Sequence, residues 1–293
     1  MKTKVTIGLC IKNAAKIVKT AFDSISIQDY PHELLKLVIV DDGSCDNTLS
    51  LAMKFAQESD IKTLVASSKG IGLGASRQIV VDNAEGDYIV WVDDDLVLEK
   101  DYIRKQVEFM EKNPNVGAAR GFYNPCAHSP TIISIYEYPA MLASHSESLK
   151  KIGTGGAIFR IEALESVGGF DSRIKGAGED QDVSSRMRES GWVLTTNCSA
   201  RLFKKYPMAT LKDLWKKALW YGYGTHFLFH KYKDKNYIKE FFPLIALLYG
   251  IKTSCSIYYV TGKKKVFVFA LLYSFFMIAH AIGFINAHLD GYR

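Results

Sequence analysis

The sequence predicts an α/β fold, in which helices sandwich a mostly parallel sheet and C-terminal interfacial and transmembrane helices follow. Three observations lead to this prediction. Over the first 120 residues, short β-branched apolar runs alternate with amphipathic stretches, which is typical of a parallel sheet covered on both faces. After residue 200 the chain becomes basic and aromatic. It then ends in two apolar stretches of about the length that crosses a bilayer.

The strands are predicted from apolar runs, and the helices from apolar residues at three- and four-residue spacing. The predicted strands cover residues 5–11, 37–40, 61–66 and 88–92, and the predicted helices cover residues 14–27, 46–58 and 74–84. In such sheets, ligands bind beyond the carboxyl ends of the strands. The residues that follow each strand are therefore the first candidates for function.

The net charge is distributed unevenly along the 293 residues. The total of +6 alone would suggest a nucleic-acid partner. Residues 1–200, however, carry 22 Lys and Arg against 27 Asp and Glu, whereas residues 201–293 carry 15 against 4. The basic residues lie beside apolar segments and form no nucleic-acid-binding motif, so we expect no nucleic-acid partner. We expect an anionic membrane surface as the partner of the basic part.

The five cysteines predict a reducing environment. They are odd in number, widely spread and without a Cys-x-x-Cys pair, which argues against a disulfide framework and a structural zinc site. The first ten residues lack the apolar run of a signal peptide. We therefore expect any catalytic part to stay on the cytoplasmic side.

Clusters of carboxylates follow two of the predicted strands. Asp-Asp-Gly-Ser at 41–44 ends the second strand, and three aspartates at 93–95 end the fourth. Adjacent carboxylates repel one another unless a cation neutralises them, and oxygen ligands suit Mg²⁺ or Mn²⁺. On an extended backbone Asp93 and Asp95 would point the same way. The alternatives are an ordinary capped turn at 41–44 and a solvated acidic turn at 93–95.

Two further motifs carry possible chemistry. The glycine-rich segment 69–75 does not have the spacing of a dinucleotide fingerprint, which leaves a loop that presents backbone N–H groups or Arg77 to a phosphate. The segment 178–182 places three carboxylates at the start of a predicted helix. These carboxylates either complement the helix dipole or supply a general base.

Taken together, these motifs resemble the family 2 glycosyltransferases, whose GT-A fold is Rossmann-like. The resemblance runs from about residue 4 to residue 197 and rests on six segments in the family's order. They are Asp-Asp-Gly-Ser at 41–44, the loop and helix at 69–77, the strand and aspartates at 85–95, Thr-Gly-Gly with its strand at 154–160, Gly-Gly-Phe-Asp at 168–171, and Gly-Glu-Asp with its helix at 178–186.

The resemblance implies a donor side to the site. Asp42 matches the carboxylate that hydrogen-bonds the nucleotide base. Asp93 and Asp95 match the family's D-x-D, which holds Mg²⁺ or Mn²⁺ on the diphosphate. The first strand ends in Cys-Ile-Lys-Asn, where the family usually has Pro-Thr/Ser-Tyr-Asn. The residues expected to bind the nucleotide sugar are Asn13, Asp42, Arg77, Asp93 and Asp94.

The resemblance also implies an acceptor side. Asp180 matches the Asp of the family's Glu-Asp motif, the general base that deprotonates the acceptor hydroxyl. Glu179, Asp182 and Gly155 are expected beside the acceptor as secondary residues. No Gln-x-x-Arg-Trp motif, which the family's processive synthases carry, follows the base. This absence favours a single sugar addition.

The implied function is that of a membrane-associated inverting glycosyltransferase. It would move one sugar from a nucleotide sugar to a lipid-linked or cell-surface glycan acceptor. Two alternatives stay open at this point. One is a polyprenyl- or dolichyl-phosphate sugar synthase, and the other is a non-catalytic scaffold subunit that binds a nucleotide sugar.

The predicted organisation has three segments. A GT-A domain covers residues 1–200, a basic aromatic juxtamembrane segment covers 201–240, and membrane helices cover 241–293, as a hairpin of 241–260 and 266–285. In the alternative topology the first apolar segment is broken at Pro243 and Gly250 and lies in the interface, and only the second crosses. We expect the enzyme at the cell membrane, with its catalytic domain on the cytoplasmic face.

Overall fold

A computed structural model describes residues 3–124, 131–139, 149–206, 208–234 and 241–292. Its strands, numbered β1 to β8 along the chain, are Val5–Ile11, Leu35–Asp41, Lys62–Ser67, Tyr88–Val92, Leu96–Leu98, Val116–Asn124, Ala157–Arg160 and Val193–Lys204. Its helices, numbered α1 to α9, are Lys19–Ser26, Thr48–Glu58, Leu73–Asp82, Tyr102–Lys112, Ile161–Glu165, Glu179–Glu189, Leu211–Tyr232, Pro243–Thr261 and Val268–Leu289.

The eight strands form one mixed sheet in the order β3-β2-β1-β4-β7-β6-β8-β5. The pairs β2–β3, β1–β2, β1–β4 and β6–β8 are parallel, and β7 and β5 pair antiparallel with their neighbours. Successive residues of β2 enter different apolar clusters, with Leu37 and Ile39 in one cluster and Val38 and Val40 in the other. The sheet is therefore buried on both faces, which confirms the predicted mostly parallel α/β architecture.

The first helix begins later than its apolar spacing predicts. The spacing predicts a helix from residue 14, whereas α1 begins at Lys19. The backbone N–H of Asn13 donates to Ser44 Oγ, and the N–H of Ala14 donates to Thr48 Oγ1. These contacts and the left-handed backbone of Asn13 (φ 52°) hold the chain in a loop after β1. All four early strands and the other two early helices lie within two residues of their predicted ends.

The chain divides into two compact units. Among the described residues, the first unit comprises 3–124, 149–175 and 179–205, and it contains the whole sheet. The second comprises residues 131–139, 176–178 and 206–292, apart from the gaps already named. Residues 207 and 235–240 of the predicted juxtamembrane segment lie outside the described residues. The predicted three-segment organisation stays a prediction.

The second unit is built from the long helices α7, α8 and α9. A capping box begins α7, because the side chains of Thr210 and Asp213 each accept the other's backbone N–H. Gly222 and Gly283 let α7 and α9 approach closely, since an added Cβ at either would meet a carbonyl oxygen of the other helix. Segment 131–139 packs on α8 and α9 through Ile135 and Tyr138.

Two helices are long and apolar enough to cross a membrane. Residues 244–261 have a mean hydropathy of 1.2, and the most apolar 18 residues within 264–289 have a mean hydropathy of 2.1. Helix α8 is continuous, so the interruption considered in the alternative topology is absent. Pro243 is its first residue, where a missing N–H costs nothing, and Gly250 packs closely against Ala270 of α9.

The described cysteines are free thiols. Cys45, Cys198 and Cys255 are exposed and Cys10 is half-buried, while Cys126 lies outside the described residues.

We predict that Gly86→Ala destabilises the first unit more than Gly191→Ala. Both glycines have a positive φ, 97° and 91°. An added Cβ at Gly86 would collide with the carbonyl of Lys4, whereas at Gly191 it would meet nothing within 4 Å. We expect a loss of about 1–2 kcal/mol for Gly191→Ala from the backbone alone. We expect a further loss of about 1–3 kcal/mol for Gly86→Ala from the collision.

The measurement is the free energy of unfolding in urea for both variants in parallel. Equal losses in the two variants would contradict the close packing of the turn before β4 on the start of β1.

Candidate active site

The candidate site lies where three neighbouring strands end. Strand β1 runs between β2 and β4, with Ile11 beside Asp41 and Leu9 beside Val92. The residues that follow these strands, Asn13, Asp42 and Asp93, therefore come to one edge of the sheet.

Asp42 is a buried carboxylate held by hydrogen bonds. Ser68 Oγ and the backbone N–H of Gly72 donate to its Oδ1, and Lys12 Nζ lies 3.0 Å from its Oδ2. Burial alone would raise the pKa of Asp42, but these donors outweigh burial and hold the pKa below its usual value. Asp42 is thus an ionised acceptor that connects the end of β2 to the glycine-rich loop before α3.

Asn13 fixes the loop after β1 against the turn after β2. Its Oδ1 accepts the backbone N–H of Cys45 at 2.8 Å, and Asp41 Oδ2 accepts the N–H groups of Gly43 and Ser44. Both Asp41 contacts form the Asx turn that the sequence pattern allowed. The amide of Asn13 is therefore held against the turn that follows Asp42.

Arg77 is buried at the centre of the site. Its guanidinium lies 3.3 Å from Glu179 Oε1, 3.7 Å from Asp93 Oδ1, and 5.5 Å from the centre of the Trp91 ring. The two acidic neighbours keep its pKa raised in spite of burial. Arg77, predicted to contact the nucleotide, therefore lies between two other predicted site residues. It connects α3 to the end of β4 through Asp93 and to the start of α6 through Glu179.

The three aspartates after β4 lie in a turn, so strand alternation does not set their directions. Asp93 faces Arg77, whereas Asp95 forms an ion pair of 2.7 Å with Lys204. Removal from water raises the pKa of Asp94 to about 7, with Asp95 and Asp93 adding to the shift. The Asp93 carboxylate is partly open to solvent. Partial removal from water and the negative charge of Asp95 nevertheless raise the pKa of Asp93, although the nearby Arg77 lowers it.

Two glycines of the loop before β7 lie close to the carboxylates of Asp93 and Asp180. An added Cβ at Gly155 would lie 2.5 Å from Asp93 Oδ2, and one at Gly153 would lie 3.5 Å from Asp180 Oδ2. Gly155, predicted as a secondary residue of the acceptor side, therefore lies against Asp93, one of the predicted metal ligands. The loop 153–156 brings both carboxylates to one part of the site.

Helix α6 begins with the Glu-Asp pair. Glu179 is buried, and burial raises its pKa to about 7 although Arg77 lies beside it. Burial also raises the pKa of Asp180, whose Oδ1 accepts the N–H of Gln181. A carboxylate with a raised pKa at the edge of the site is suited to accept a proton.

Asp182 has a different position from Glu179 and Asp180. Its side chain is fully buried and forms an ion pair with Arg186 at 2.6 Å. Arg186 also donates to the carbonyl oxygens of Val167 and Gly169. The structure does not bring Asp182 to the acceptor side, since this pair fastens α6 to the turn at 168–169.

Three residues of the site were missed by sequence reasoning. Lys204 pairs with Asp95, Lys12 pairs with Asp42, and Cys10 lies near Arg77 with a pKa that burial raises to about 12. The boundary predicted at residue 200 assigned Lys204 to the basic tail, although β8 continues to Lys204. Nothing in local spacing pairs these residues, because the partners are far apart in sequence.

The carboxylates after β4 fit a divalent cation. Asp93 and Asp95 offer oxygen ligands. Burial, with repulsion from neighbouring carboxylates added to it, raises the pKa values of Asp93 and Asp94, and a bound cation would favour the ionised forms. Asp180, whose pKa is also raised, lies in the same part of the site. The arrangement therefore combines carboxylates that could hold a cation with a carboxylate that could accept a proton.

Comparison with known proteins gives matches over the whole chain. The family model "Glycosyl transferase family 2" matches residues 6–168, and "Glycosyl transferase family group 2" matches residues 88–286. The poly-beta-1,6-N-acetyl-D-glucosamine synthase of Staphylococcus epidermidis is 25% identical over 228 residues, which cover 74% of this chain and 53% of the relative. The chain thus spans about half the length of this relative.

Solved structures have the same fold. A mannosyltransferase from Pyrobaculum calidifontis, in complex with GDP-Man and Mn²⁺, superposes with a TM-score of 0.72 at 18% identity and covers 97% of this chain and 88% of that one. TarS of S. aureus with UDP-GlcNAc superposes with a TM-score of 0.54 at 13% identity, covering 99% and 93%. At these identities the likeness establishes the fold.

We predict that Arg77→Met lowers the free energy of unfolding by about 3–5 kcal/mol, because it leaves Glu179 buried without a cation. Glu179→Gln in the same chain should recover part of this loss, since the remaining buried group is then neutral. Unfolding in urea of the two single variants and the double variant measures this coupling.

Arg104→Met is the matched control. Arg104 also forms ion pairs with Asp101 and Glu108, three residues before and four residues after it in sequence, and with Asp29, but at the protein surface. We expect a much smaller loss there. Additive effects of Arg77→Met and Glu179→Gln would contradict the central position of this pair.

Proposed function

The chain belongs to glycosyl transferase family 2, and we propose that it is a membrane-associated inverting enzyme that adds one sugar to a lipid-linked or cell-surface glycan. As a family member it is an enzyme that transfers a sugar from a nucleotide sugar. The observation that carries the finer proposal is the arrangement of carboxylates at one edge of the sheet. Asp42 and Asp93 follow β2 and β4, the two strands that flank β1, and the loop 153–156 lies beside both Asp93 and Asp180.

The donor side uses the residues that follow the strands. Asp42, kept ionised by its donors, is assigned to the nucleotide base, with Asn13 held against the turn that follows it. Arg77 positions Asp93 and Glu179, and its positive charge contributes to holding an anionic donor. When bound, Mg²⁺ or Mn²⁺ on Asp93 and Asp95 stabilises the negative charge that develops on the leaving diphosphate. Asp94 lies between these two ligands, next to the nucleotide sugar.

The acceptor side uses Asp180 as the general base. Its raised pKa makes it a stronger base than a solvated aspartate, and it takes the proton from the acceptor hydroxyl as that oxygen attacks the anomeric carbon. Attack from the face opposite to the leaving group inverts the configuration. Glu179, buried against Arg77, keeps the start of α6 in position.

The relatives suggest which donor to test first. The Staphylococcus relative is named a synthase of a poly-N-acetyl-glucosamine, and one solved neighbour holds UDP-GlcNAc whereas another holds GDP-Man. We place UDP-GlcNAc first and GDP-Man second. Because the Gln-x-x-Arg-Trp motif does not follow the base in this sequence, we propose one addition per acceptor.

Exposed apolar surface on the C-terminal helices supports the membrane location. Leu244, Leu248 and Tyr259 of α8 are 69%, 59% and 92% exposed, and Leu271 and Leu289 of α9 are 68% and 77% exposed. Side chains of this kind are stable in contact with lipid, not water. The acceptor is then a molecule at the membrane surface.

We predict release of nucleoside diphosphate by the membrane-bound protein with one sugar nucleotide of a panel, and only with Mn²⁺ or Mg²⁺ present.

Asp180→Asn should reduce transfer by about 10²–10⁴-fold or abolish it, while nucleotide affinity stays nearly unchanged. Since the base acts when deprotonated, kcat/KM should fall as the pH is lowered through the raised pKa of Asp180. Glu189→Gln, an exposed carboxylate on the same helix, is the control and should keep full activity.

The outcomes separate the alternatives. If none of the sugar nucleotides in the panel yields nucleoside diphosphate, the transferase proposal is contradicted. Transfer to a polyprenyl phosphate that survives in Asp180→Asn would favour the polyprenyl- or dolichyl-phosphate synthase, because a phosphate acceptor is already anionic and needs no base.

We predict the side of the membrane on which the turn after α8 lies. In a background where the other cysteines are Ser, Lys264→Cys places one thiol in the exposed turn 262–265. In intact cells, an impermeant maleimide should label Lys264→Cys, as expected for a two-pass hairpin with a cytoplasmic catalytic unit.

A chain that keeps only Cys45 is the control, since this exposed thiol reports the side of the catalytic unit and should react only after permeabilisation. Labelling of both thiols only after permeabilisation would contradict the hairpin.

A further inference from the structure

Three histidines of the second unit converge at the ends of two long helices. His226 and His230 are one turn apart on α7, and His288 lies in the last turn of α9. His226 Nε2 is 3.2 Å from His230 Nε2 and 3.3 Å from His288 Nδ1. One ring nitrogen from each residue lies within 4.8 Å of the other two. None of these residues belongs to the site at the sheet edge.

The backbone of Tyr292 sets the proton on the buried member of the cluster. His226 is fully buried, and its Nδ1 lies 2.6 Å from the carbonyl oxygen of Tyr292. A carbonyl oxygen only accepts, so Nδ1 carries the proton, and in the neutral ring the lone pair is on Nε2. Metal-binding histidines are held in this way, with the second ring nitrogen donating to a carbonyl.

Both other histidines approach that single lone pair. Two N–H groups directed at one lone pair would compete for it, and separations of 3.2 and 3.3 Å are longer than the usual hydrogen bond. In tetrahedral coordination with metal–nitrogen bonds of about 2.0–2.1 Å, neighbouring ligand nitrogens are about 3.3–3.4 Å apart. The two measured separations therefore match the edges of a tetrahedron.

The surroundings hold the cluster in place. The His226 ring packs edge-on against Phe284, and the Tyr292 ring stacks on Tyr223 at 4.9 Å and on Phe227 at 5.4 Å. These contacts keep the Tyr292 carbonyl next to His226. His288 is exposed and His230 half-buried, which leaves an entry path from solvent.

We propose that His226, His230 and His288 bind one zinc-class divalent cation, which links the C-terminal end of α9 to α7. Imidazole nitrogens suit Zn²⁺ and its neighbours, whereas the oxygen ligands of the sheet-edge site suit Mg²⁺ and Mn²⁺. Three histidine ligands leave the fourth position of a tetrahedral metal ion open to water. The expectation that this chain has no structural zinc site considered only the cysteines, and the His-x-x-x-His spacing of α7 is the signal it missed.

The test uses the full chain, without a polyhistidine tag and stripped of metal by a chelator. Titration with Zn²⁺ alone should show one tight site per chain, and Co²⁺ in its place should give the absorption bands of tetrahedral cobalt. Zinc should also raise the melting temperature. His288→Gln and His230→Gln, which alter the less buried members, should each weaken zinc binding by about ten-fold or more.

Two control variants separate this site from others. His32→Gln removes a histidine that pairs with Asp60 in the first unit, and Asp95→Asn alters the sheet-edge carboxylates. Both should keep the zinc affinity and the cobalt spectrum.

Failure of the chain to bind Zn²⁺ would overturn the proposal, as would unchanged zinc affinity in His288→Gln and His230→Gln. If a variant does not fold, the cobalt spectrum of the unaltered chain decides, and an octahedral or absent spectrum also overturns it.

Discussion

The buried guanidinium of Arg77 is the interaction on which the site depends. It lies between a carboxylate at the end of β4 and a carboxylate at the start of α6, and so connects two elements that are 86 residues apart, counted from Asp93 to Glu179. Without a cation there, desolvation would oppose placing these acids together. Arg77 thus makes possible a crowded acidic site, in which Asp93 is the proposed metal ligand and Glu179 directly precedes the proposed base Asp180.

Much of the first unit follows from local pattern. The β-branched runs identified β1 to β4, and because parallel strands end at one edge, the motifs after them were expected together before any contact was known. The late start of α1 could not be predicted, because it depends on Ser44 and Thr48, which lie more than 30 residues away in sequence. Hydrogen bonds of this kind override the apolar spacing.

The partners of the charged groups were the less predictable part. Arg77 was expected to face the nucleotide, and its pairing with Glu179 depends on how α3 and α6 pack. Asp180 and Asp182 are aspartates of the same helix. Asp182, however, pairs with Arg186, which lies one turn further along the helix. Residue type therefore identified the acidic groups, whereas tertiary packing decides which of them are free to react.

The close approach at Gly224 has a consequence for how separable the two units are. An added Cβ there would collide with the backbone of Ala177, and Gly176 lies against the same glycine. Residues 176–178 therefore pack on α7, and the chain passes directly from them into Glu179 and Asp180. The loop that precedes the proposed base therefore belongs to the second unit, although Glu179 and Asp180 themselves belong to the first. The boundary between the two units crosses the chain at this loop as well as near Lys205, so a single cut of the chain does not divide them.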